Sequence, residues 1–234
     1  MQAGAVDVYV LDVSTARPRL AELWAILSSD ERDRAARFRF ERDRERFVIR
    51  RGTLRELLAL HLDDTPRRIR FCVNPFGKLS LPGPQRLTFN LSHSQDVALF
   101  ALAEGREVGC DIERSDPGFA ASRIPEHFFS AHEVSALRAL PTALQTEAFF
   151  LCWTRKEAYV KARGRGLSIP LDSFDVSLAP GDPATLLRGC EGWSVAAFEP
   201  VPDHPAAIVA EGADWRMRLR RMPDPGGMSG VSSL

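Results

Sequence analysis

Long apolar runs are missing from this chain. The longest, Val97 to Ala103, is far too short for a bilayer span, which needs about 20 apolar residues. Net charge is missing as well, because Lys and Arg number 31 and so do Asp and Glu. A protein built chiefly to coat nucleic acid carries a basic surplus, so that class is excluded. Cysteine pairing is absent too. Cys72, Cys110, Cys152 and Cys190 stand far apart with no CxxC, and three of them lie inside apolar segments, as buried reduced thiols do. Reduced thiols suit a cytoplasmic protein. The N-terminus lacks a basic leader. With Asp7 and Asp12 among its apolar residues it reads as a first strand and not as a signal peptide. No Asp-His-Ser ordering supplies a nucleophile with its base.

What is present is material for a core and a local concentration of charge. The chain has 234 residues and 44% hydrophobic content, enough for one large domain or two small ones. Between Glu31 and Arg55 there are ten arginines against five acids. Such a run is either a helix laced by i,i+4 pairs or a face that offers several guanidinium groups to phosphates.

Periodicity and punctuation predict the elements. Val6 to Val13 alternates as a strand, and helices follow at Arg19–Leu27 and Glu31–Arg37, the second capped by Ser28-Ser29-Asp30. A longer helix runs from about Arg42 to Leu62. Phe47, Leu54, Leu57, Leu58 and Leu62 lie on one side, with Arg46, Arg50, Arg51 and Arg55 on the other. Ile69–Val73, Leu87–Leu91, Val97–Ala103 and Glu107–Glu113 read as strands, the last two joined through Glu104-Gly105-Arg106 as a hairpin. Helices are expected at Ala120–Phe129, Ala131–Leu140 and Leu144–Ala162. Strands follow at Phe174–Leu178, Trp193–Glu199, Ala206–Ala210 and Trp215–Met222, and residues 223–234 read as a mobile tail. Helices followed by strands thus occur twice, on either side of about residue 105, without a residue-level repeat.

Four short stretches carry candidate chemistry. In Val108-Gly109-Cys110-Asp111-Ile112-Glu113, Asp111 and Glu113 share one strand face, and Cys110 and Ile112 share the core face. Two neighbouring carboxylates repel unless a proton or cation intervenes, and a hard cation such as Mg²⁺ takes oxygen ligands. In Asn90-Leu91-Ser92-His93-Ser94, an imidazole and two hydroxyls sit at a strand exit and suit an anion. Gly77-Lys78 is a flexible turn ending in an amine. On the helix that closes at Gly164 and Gly166, Phe149, Trp153, Glu157 and Lys161 stand four apart in one row. That row is either a surface Glu-Lys pair beside packed aromatics or a face entering an active site. Carboxylates for a divalent metal plus phosphate-binding cations point to metal-assisted phosphoryl-group chemistry.

In sequence order these stretches resemble a known family, the 4′-phosphopantetheinyl transferases of the Sfp-like monomeric type. The resemblance spans roughly residues 20 to 180. It rests on Asn74-x-x-Gly77-Lys78, Phe89-Asn90-Leu91-Ser92-His93-Ser94, Gly109-x-Asp111-Ile112-Glu113, Phe128-Phe129-Ser130 and Trp153-Thr154-x-Lys156-Glu157-Ala158-x-x-Lys161-x-x-Gly164-x-Gly166-Leu167, with Leu171-Asp172-Ser173-Phe174 after them. It implies an α+β fold of two similar halves related by a pseudo-twofold axis, here residues 1–105 and 106–222, in a monomer. It implies Mg²⁺-dependent transfer of the 4′-phosphopantetheine arm of coenzyme A to a serine of an acyl or peptidyl carrier protein, releasing adenosine 3′,5′-bisphosphate. No nucleic acid or membrane partner is implied.

Carried over by motif, Asp111, Glu113 and Glu157 match the metal-holding acids. Glu157 also matches the candidate general base, and Lys161 matches a pyrophosphate contact that helps the leaving group. Ser92 and His93 match positions near the adenosine 3′-phosphate, and Lys78 another phosphate contact supported by Gly77. Arg46 matches a basic ligand residue, and Arg34 a basic position in the preceding helix. Three residues depart from the pattern: Leu79 replaces a usual proline, Glu31 stands where some relatives are basic, and Cys110 replaces an aliphatic residue. The alternatives are a Mg²⁺-dependent phosphohydrolase or nuclease using Asp111 and Glu113, and an inactive homologue that binds coenzyme A or a carrier domain.

Overall fold

In the computed structural model of the chain, residues 4–84, 86–120 and 123–222 are described. The expected tail at 223–234 lies outside them. Strand β1 (Ala5–Asp12) is followed by helices α1 (Leu20–Ala25), α2 (Ser29–Ala36) and α3 (Glu41–Leu62), and then strands β2 (Cys72–Val73), β3 (Leu79–Ser80), β4 (Leu87–Ser94) and β5 (Val97–Glu104). The same order then restarts. Strand β6 (Val108–Ile112) leads to helices α4 (Pro117–Ala120), α5 (Ile124–Phe128), α6 (Ala131–Ala139) and α7 (Thr142–Arg163). Strands β7 (Asp175–Val176), β8 (Leu186–Arg188), β9 (Trp193–Val201) and β10 (His204–Glu211) come next, with β11 (Arg216–Arg221) added at the end.

The two halves match in detail. The long helices α3 and α7 are each 22 residues and each end on a left-handed residue, Asp63 and Gly164. The sheets run β11-β1-β5-β4 and β6-β10-β9, so without β11 the strand order is the same. The fold is α+β and built of two similar halves. A division after residue 105 must allow for β11, which leaves the second half and pairs in parallel with β1. Buried Asp7 on β1 accepts hydrogen bonds from the Arg218 guanidinium at 2.6 and 2.7 Å across that pairing.

Strand periodicity sorts the core into layers. Leu87 and Phe89 of β4 pack with α3, whereas Ala207 and Val209 of β10 pack with α7. Between the sheets, Val6, Val8, Leu99 and Ala101 meet Val108, Cys110, Ile112 and Ile208. β5 is covered on both faces and is accordingly apolar almost throughout.

The expected hairpin through Gly105 does not form. β5 pairs with β1 on one edge and β4 on the other, so no edge is free for β6, which pairs with β10 instead. Of the helix expected at 120–129, α5 covers Ile124–Phe128, with Pro125 in its first turn, where a missing N–H is tolerated, and residues 121–122 lie outside the described residues. The strand expected at 69–73 keeps only Cys72 and Val73, because Ile69 is buried and its carbonyl accepts from Arg55. Among the described residues no helix is long and apolar enough to cross a membrane.

Candidate active site

Gly109 sets how close the long helix comes to the second sheet. A Cβ at this position would stand 2.2 Å from both the Ala158 carbonyl oxygen and the Ala162 nitrogen. Only glycine lets α7 lie directly on β6. That approach brings Glu157 and Lys161, one turn apart on α7, over the β6 face that carries Asp111. The other end of the row is packing. Trp153 stacks on Phe149 at 5.9 Å between centroids and meets Phe128 edge-on at 5.8 Å. The surface Glu-Lys pair is not formed, since Lys161 Nζ bonds Asp111 Oδ1 at 2.5 Å and Ser92 Oγ at 2.9 Å.

β4 and β6 share no backbone ladder. They run side by side, joined through side chains. Cys110 N donates to Asn90 Oδ1 at 2.9 Å, and Ser92 Oγ to Asp111 Oδ1 at 2.8 Å. Ser94 Oγ donates to Glu113 Oε2 at 3.0 Å while accepting from Arg114 N at 2.9 Å. The alternation of β4 sends Asn90, Ser92 and Ser94 to this seam and His93 to the opposite side. The serines therefore orient the acids. Ser94 is the second hydroxyl read at the strand exit, and Asn90 joins it and Ser92 at this seam through their period of two, although neither was carried over as a site residue.

The acids are mutually destabilised. Burial, then Asp111, pushes Glu113 up to about 7, with Glu157 adding to the rise. Glu157 is also raised, by burial and then by Asp111. Lys161 loses some basicity to burial, but its pairing with Asp111 prevails and holds the ammonium above its usual range. Asp111 Oδ2 is buried with no hydrogen-bond partner. Such an orphaned oxygen beside two reluctant carboxylates fits a hard divalent cation, which takes oxygen donors. No preassembled metal cage of three or more His, Cys, Asp or Glu side chains exists among the described residues.

On the far side of β4, His93 reaches solvent. The protein around it, then the Arg50, Lys161 and Arg46 charges, push its ring down to about 4, so it is neutral at pH 7. Arg46 is clamped on Asp96, with Nε and a terminal nitrogen donating at 2.8 and 2.9 Å. Arg34 lies over the Phe47 ring at 5.3 Å. Glu31 is structural, since its Oε2 accepts from Ser28 N at 3.0 Å as a helix cap and from Arg55 Nε at 2.7 Å. The Cys110 thiol is buried and pushed up to about 12, which leaves it inert.

The Lys78 amine is engaged within the protein. It donates to Glu107 Oε2 at 2.7 Å, Ala162 O at 2.8 Å and Val108 O at 3.2 Å, tying the turn to α7 and β6. Asn74 organises that turn. Its Oδ1 accepts from Phe76 N and Lys78 N, each at 2.9 Å, and its Nδ2 donates to Gly164 O at 2.6 Å. Leu79, where proline was expected, takes a place in the β2–β3 pair instead. Gly77, Lys78, Phe76, Leu91 and Gly164 wall a cavity of about 230 Å³ that opens beside Lys161.

Comparison with known proteins bears on this geometry. Residues 107–209 match the 4′-phosphopantetheinyl transferase superfamily (ACPS). Over 217 residues, 92% of this chain and 91% of that protein, the chain is 36% identical to the 4′-phosphopantetheinyl transferase HetI of Nostoc sp.. The chain belongs to the 4′-phosphopantetheinyl transferases. It is also 32% identical to the 4′-phosphopantetheinyl transferase Sfp of Bacillus subtilis over 154 residues, covering 66% of this chain and 67% of that one. A solved structure, the Chronobacterium ammoniagenes ACPS-CoA complex, superposes with a TM-score of 0.35 at 19% identity, covering 47% of this chain and 99% of that chain.

One further residue of this transferase is needed to hold α7 itself. Lys156 is fully buried and pairs with buried Glu133 at 2.8 Å. Its amine also donates to Leu171 O and Phe174 O, each at 2.6 Å, and lies 4.2 Å from the Phe174 ring centroid. Glu133 in turn caps α6 through Ser130 N and accepts from Val176 N. Lys156→Ala would strand the Glu133 charge in the core, a loss of about 3–5 kcal/mol in unfolding free energy by urea titration. A loss below about 1 kcal/mol would show that the pair does not hold the second half together.

Proposed function

We propose that this chain transfers the 4′-phosphopantetheine arm of coenzyme A to a serine of an acyl or peptidyl carrier protein, releasing adenosine 3′,5′-bisphosphate. The observation that carries the reading is the orphaned Asp111 oxygen beside Glu113, Glu157 and Lys161, at the seam where β4 and α7 meet β6. Asp111, Glu113 and Glu157 would hold Mg²⁺, which supplies charge neutralisation for the pyrophosphate when bound.

The remaining steps belong to the chain's own residues. The carrier serine hydroxyl attacks the pantetheine-side phosphorus, and the phosphoanhydride bond breaks with its electron pair leaving on adenosine 3′,5′-bisphosphate. Glu157, whose raised pKa brings it nearer to working pH, accepts the serine proton directly or through a water. Lys161 donates toward the departing phosphate. Ser92 holds Asp111 and Lys161 in register. His93 and Arg46 face the donor's outer phosphate, and Gly77 and the stem of Lys78 wall the cavity that takes an uncharged part of the donor. A cytoplasmic monomer acting on carrier proteins is the setting this reading expects.

The test is mass spectrometry of apo carrier proteins after incubation with the enzyme, coenzyme A and Mg²⁺. A gain of one phosphopantetheine arm on the serine is the expected result. Nucleotide or phosphate release with no carrier present would favour the hydrolase instead.

A further inference from the structure

Two strands lie at the outer edges of the two sheets, β11 in the first and β9 in the second. The remaining edges, β4 and β6, face each other across the seam of the transfer site. An open edge is a template for a further strand, and proteins guard such edges with charge, proline or short length. β11 is guarded, since it reads Arg-Met-Arg-Leu-Arg-Arg. β9 is not. It runs for nine residues with one charged side chain, Glu199, and its proline, Pro200, stands only near the end. The ladder bond from Gly212 N to Gly192 O, at 2.8 Å, fixes the alternation of β9. Ser194 and Ala196 turn their backbone groups to β10, and Val195 and Ala197 turn theirs outward. Among the described residues no backbone group bonds to Val195 or Ala197 on that outer side.

Beside this edge runs a cleft of about 720 Å³, walled by α7, β9 and the loop at 181–184. Its lining includes Ala197 and four exposed acids, Glu147, Asp182, Glu199 and Asp203, none of which makes an ion pair among the described residues. The lining also includes Arg155, which is 3% exposed. Its Nη1 donates to Ser177 O at 2.5 Å and Ser177 Oγ at 2.9 Å, while its Nε is buried with no acceptor. The buried cations Arg51, Arg55 and Lys156 each lie against a carboxylate, and Arg155 does not. On α7, Glu147, Leu151 and Arg155 form a row two residues out of step with Glu157 and Lys161, so the cleft lies across the helix from the transfer site.

Three needs meet here: partners for the β9 backbone, an acceptor for Arg155 and positive charge for the acids. A small anion would supply the acceptor but face four carboxylates. A metal ion would meet the acids alone. An extended polypeptide with Lys or Arg at alternate positions meets all three, because its main chain brings N–H and C=O groups and its side chains bring the charge.

We infer that the β9 edge and its cleft form a docking site for an extended, lysine- or arginine-bearing segment of a partner protein, added to the sheet as a further strand. Because the site lies across α7, its occupancy leaves coenzyme A binding unchanged.

The test is fluorescence anisotropy of the full chain with a short dye-labelled peptide alternating lysine and valine. A Kd on the order of 10–100 μM is expected, weakening as salt is raised. A glutamate-valine counterpart, and a lysine-valine peptide interrupted by prolines, should bind at least ~10-fold more weakly. Ala197→Pro removes an outward N–H and spares the bonds to β10, so it should weaken the lysine-valine peptide by about 10-fold. Glu147→Gln combined with Glu199→Gln should do the same, whereas Glu41→Gln on α3 changes nothing. Should Ala197→Pro fail to fold, amide exchange in the unaltered chain decides, because a bound strand slows Val195 and Ala197 by at least ~5-fold. Equal binding of the proline-interrupted peptide, binding without slowed exchange, or no binding of the lysine-valine peptide overturns the inference. Self-association of the chain that Ala197→Pro abolishes would make a second copy the occupant and overturn the assignment to a partner.

Discussion

Glu157→Gln is expected to lower carrier labelling by on the order of 10³-fold in kcat/KM while leaving the protein as stable as before or more so. The loss follows from position. Glu157 sits on α7 above Asp111, and burial together with the Asp111 charge raises its pKa. A glutamine fills the same volume but neither accepts a proton nor offers a negative oxygen to a cation. Asp111→Ala should lose transfer as completely, and it also leaves Lys161 without its ion-pair partner.

The stability half of this result has a defined sign. A carboxyl whose pKa is raised by folding binds its proton more tightly in the folded chain than in the unfolded one. Its stabilising contribution is full below the unfolded pKa and is lost as pH rises, for Glu113 through the window from the usual value of 4.5 to about 7. Above that window the ionised acids oppose folding. Glu113→Gln and Glu157→Gln should therefore raise the Tm at pH 8 without divalent cation, and the gain should vanish below pH 4. Wild-type labelling by Glu157→Gln would remove Glu157 from the chemistry. A Tm lowered at pH 8 would contradict the mutual repulsion of the acids.

Gly109→Ala is the second large effect, and it acts through backbone. Its Cβ would meet the Ala158 oxygen and the Ala162 nitrogen at 2.2 Å, and neither atom can swing aside as a side-chain tip can. α7 must retreat from β6 by an ångström or so. A loss of at least ~3 kcal/mol in unfolding free energy is expected, at the upper end for overpacking. Any molecule that still folds should label carriers about 10²-fold more slowly, because Glu157 and Lys161 move away from Asp111. Gly77→Ala is the informative contrast, since a Cβ there meets nothing within 4 Å and its cost is only that of a φ of 89°. A Gly109→Ala protein within about 0.5 kcal/mol of the parent would mean that α7 is not held by this contact.

These residues also show what was legible in the sequence. The four-residue spacing of Phe149, Trp153, Glu157 and Lys161 shows that they share a helix face, and the division into packing and chemistry follows from their types. The Asp111–Glu113 alternation shows one strand face. Neither pattern shows which partner lies opposite. That Ser92 and Ser94 hold Asp111 and Glu113 is a contact between strands that share no ladder, so no hairpin or crossover signal announces it. The turn at Gly105 was legible as a turn, but whether β5 has an edge free for β6 depends on β1 and β4, far away in the chain. Lys78 was legible as an amine at a turn. Its capture by Ala162 and Glu107 depends on tertiary neighbours alone.

The placement of β11 has a consequence for synthesis. The outer strand of the first sheet is the last strand described, and Asp7 finds Arg218 only after 211 further residues have been made. Until then β1 has an open edge and a buried-side carboxylate without its cation. The first sheet therefore gains its outer strand only after the second half has been made, unlike the sheet of an independent N-terminal domain. Two halves that repeat one architecture are thereby tied together by β11, which crosses from the second half to the edge of the first sheet.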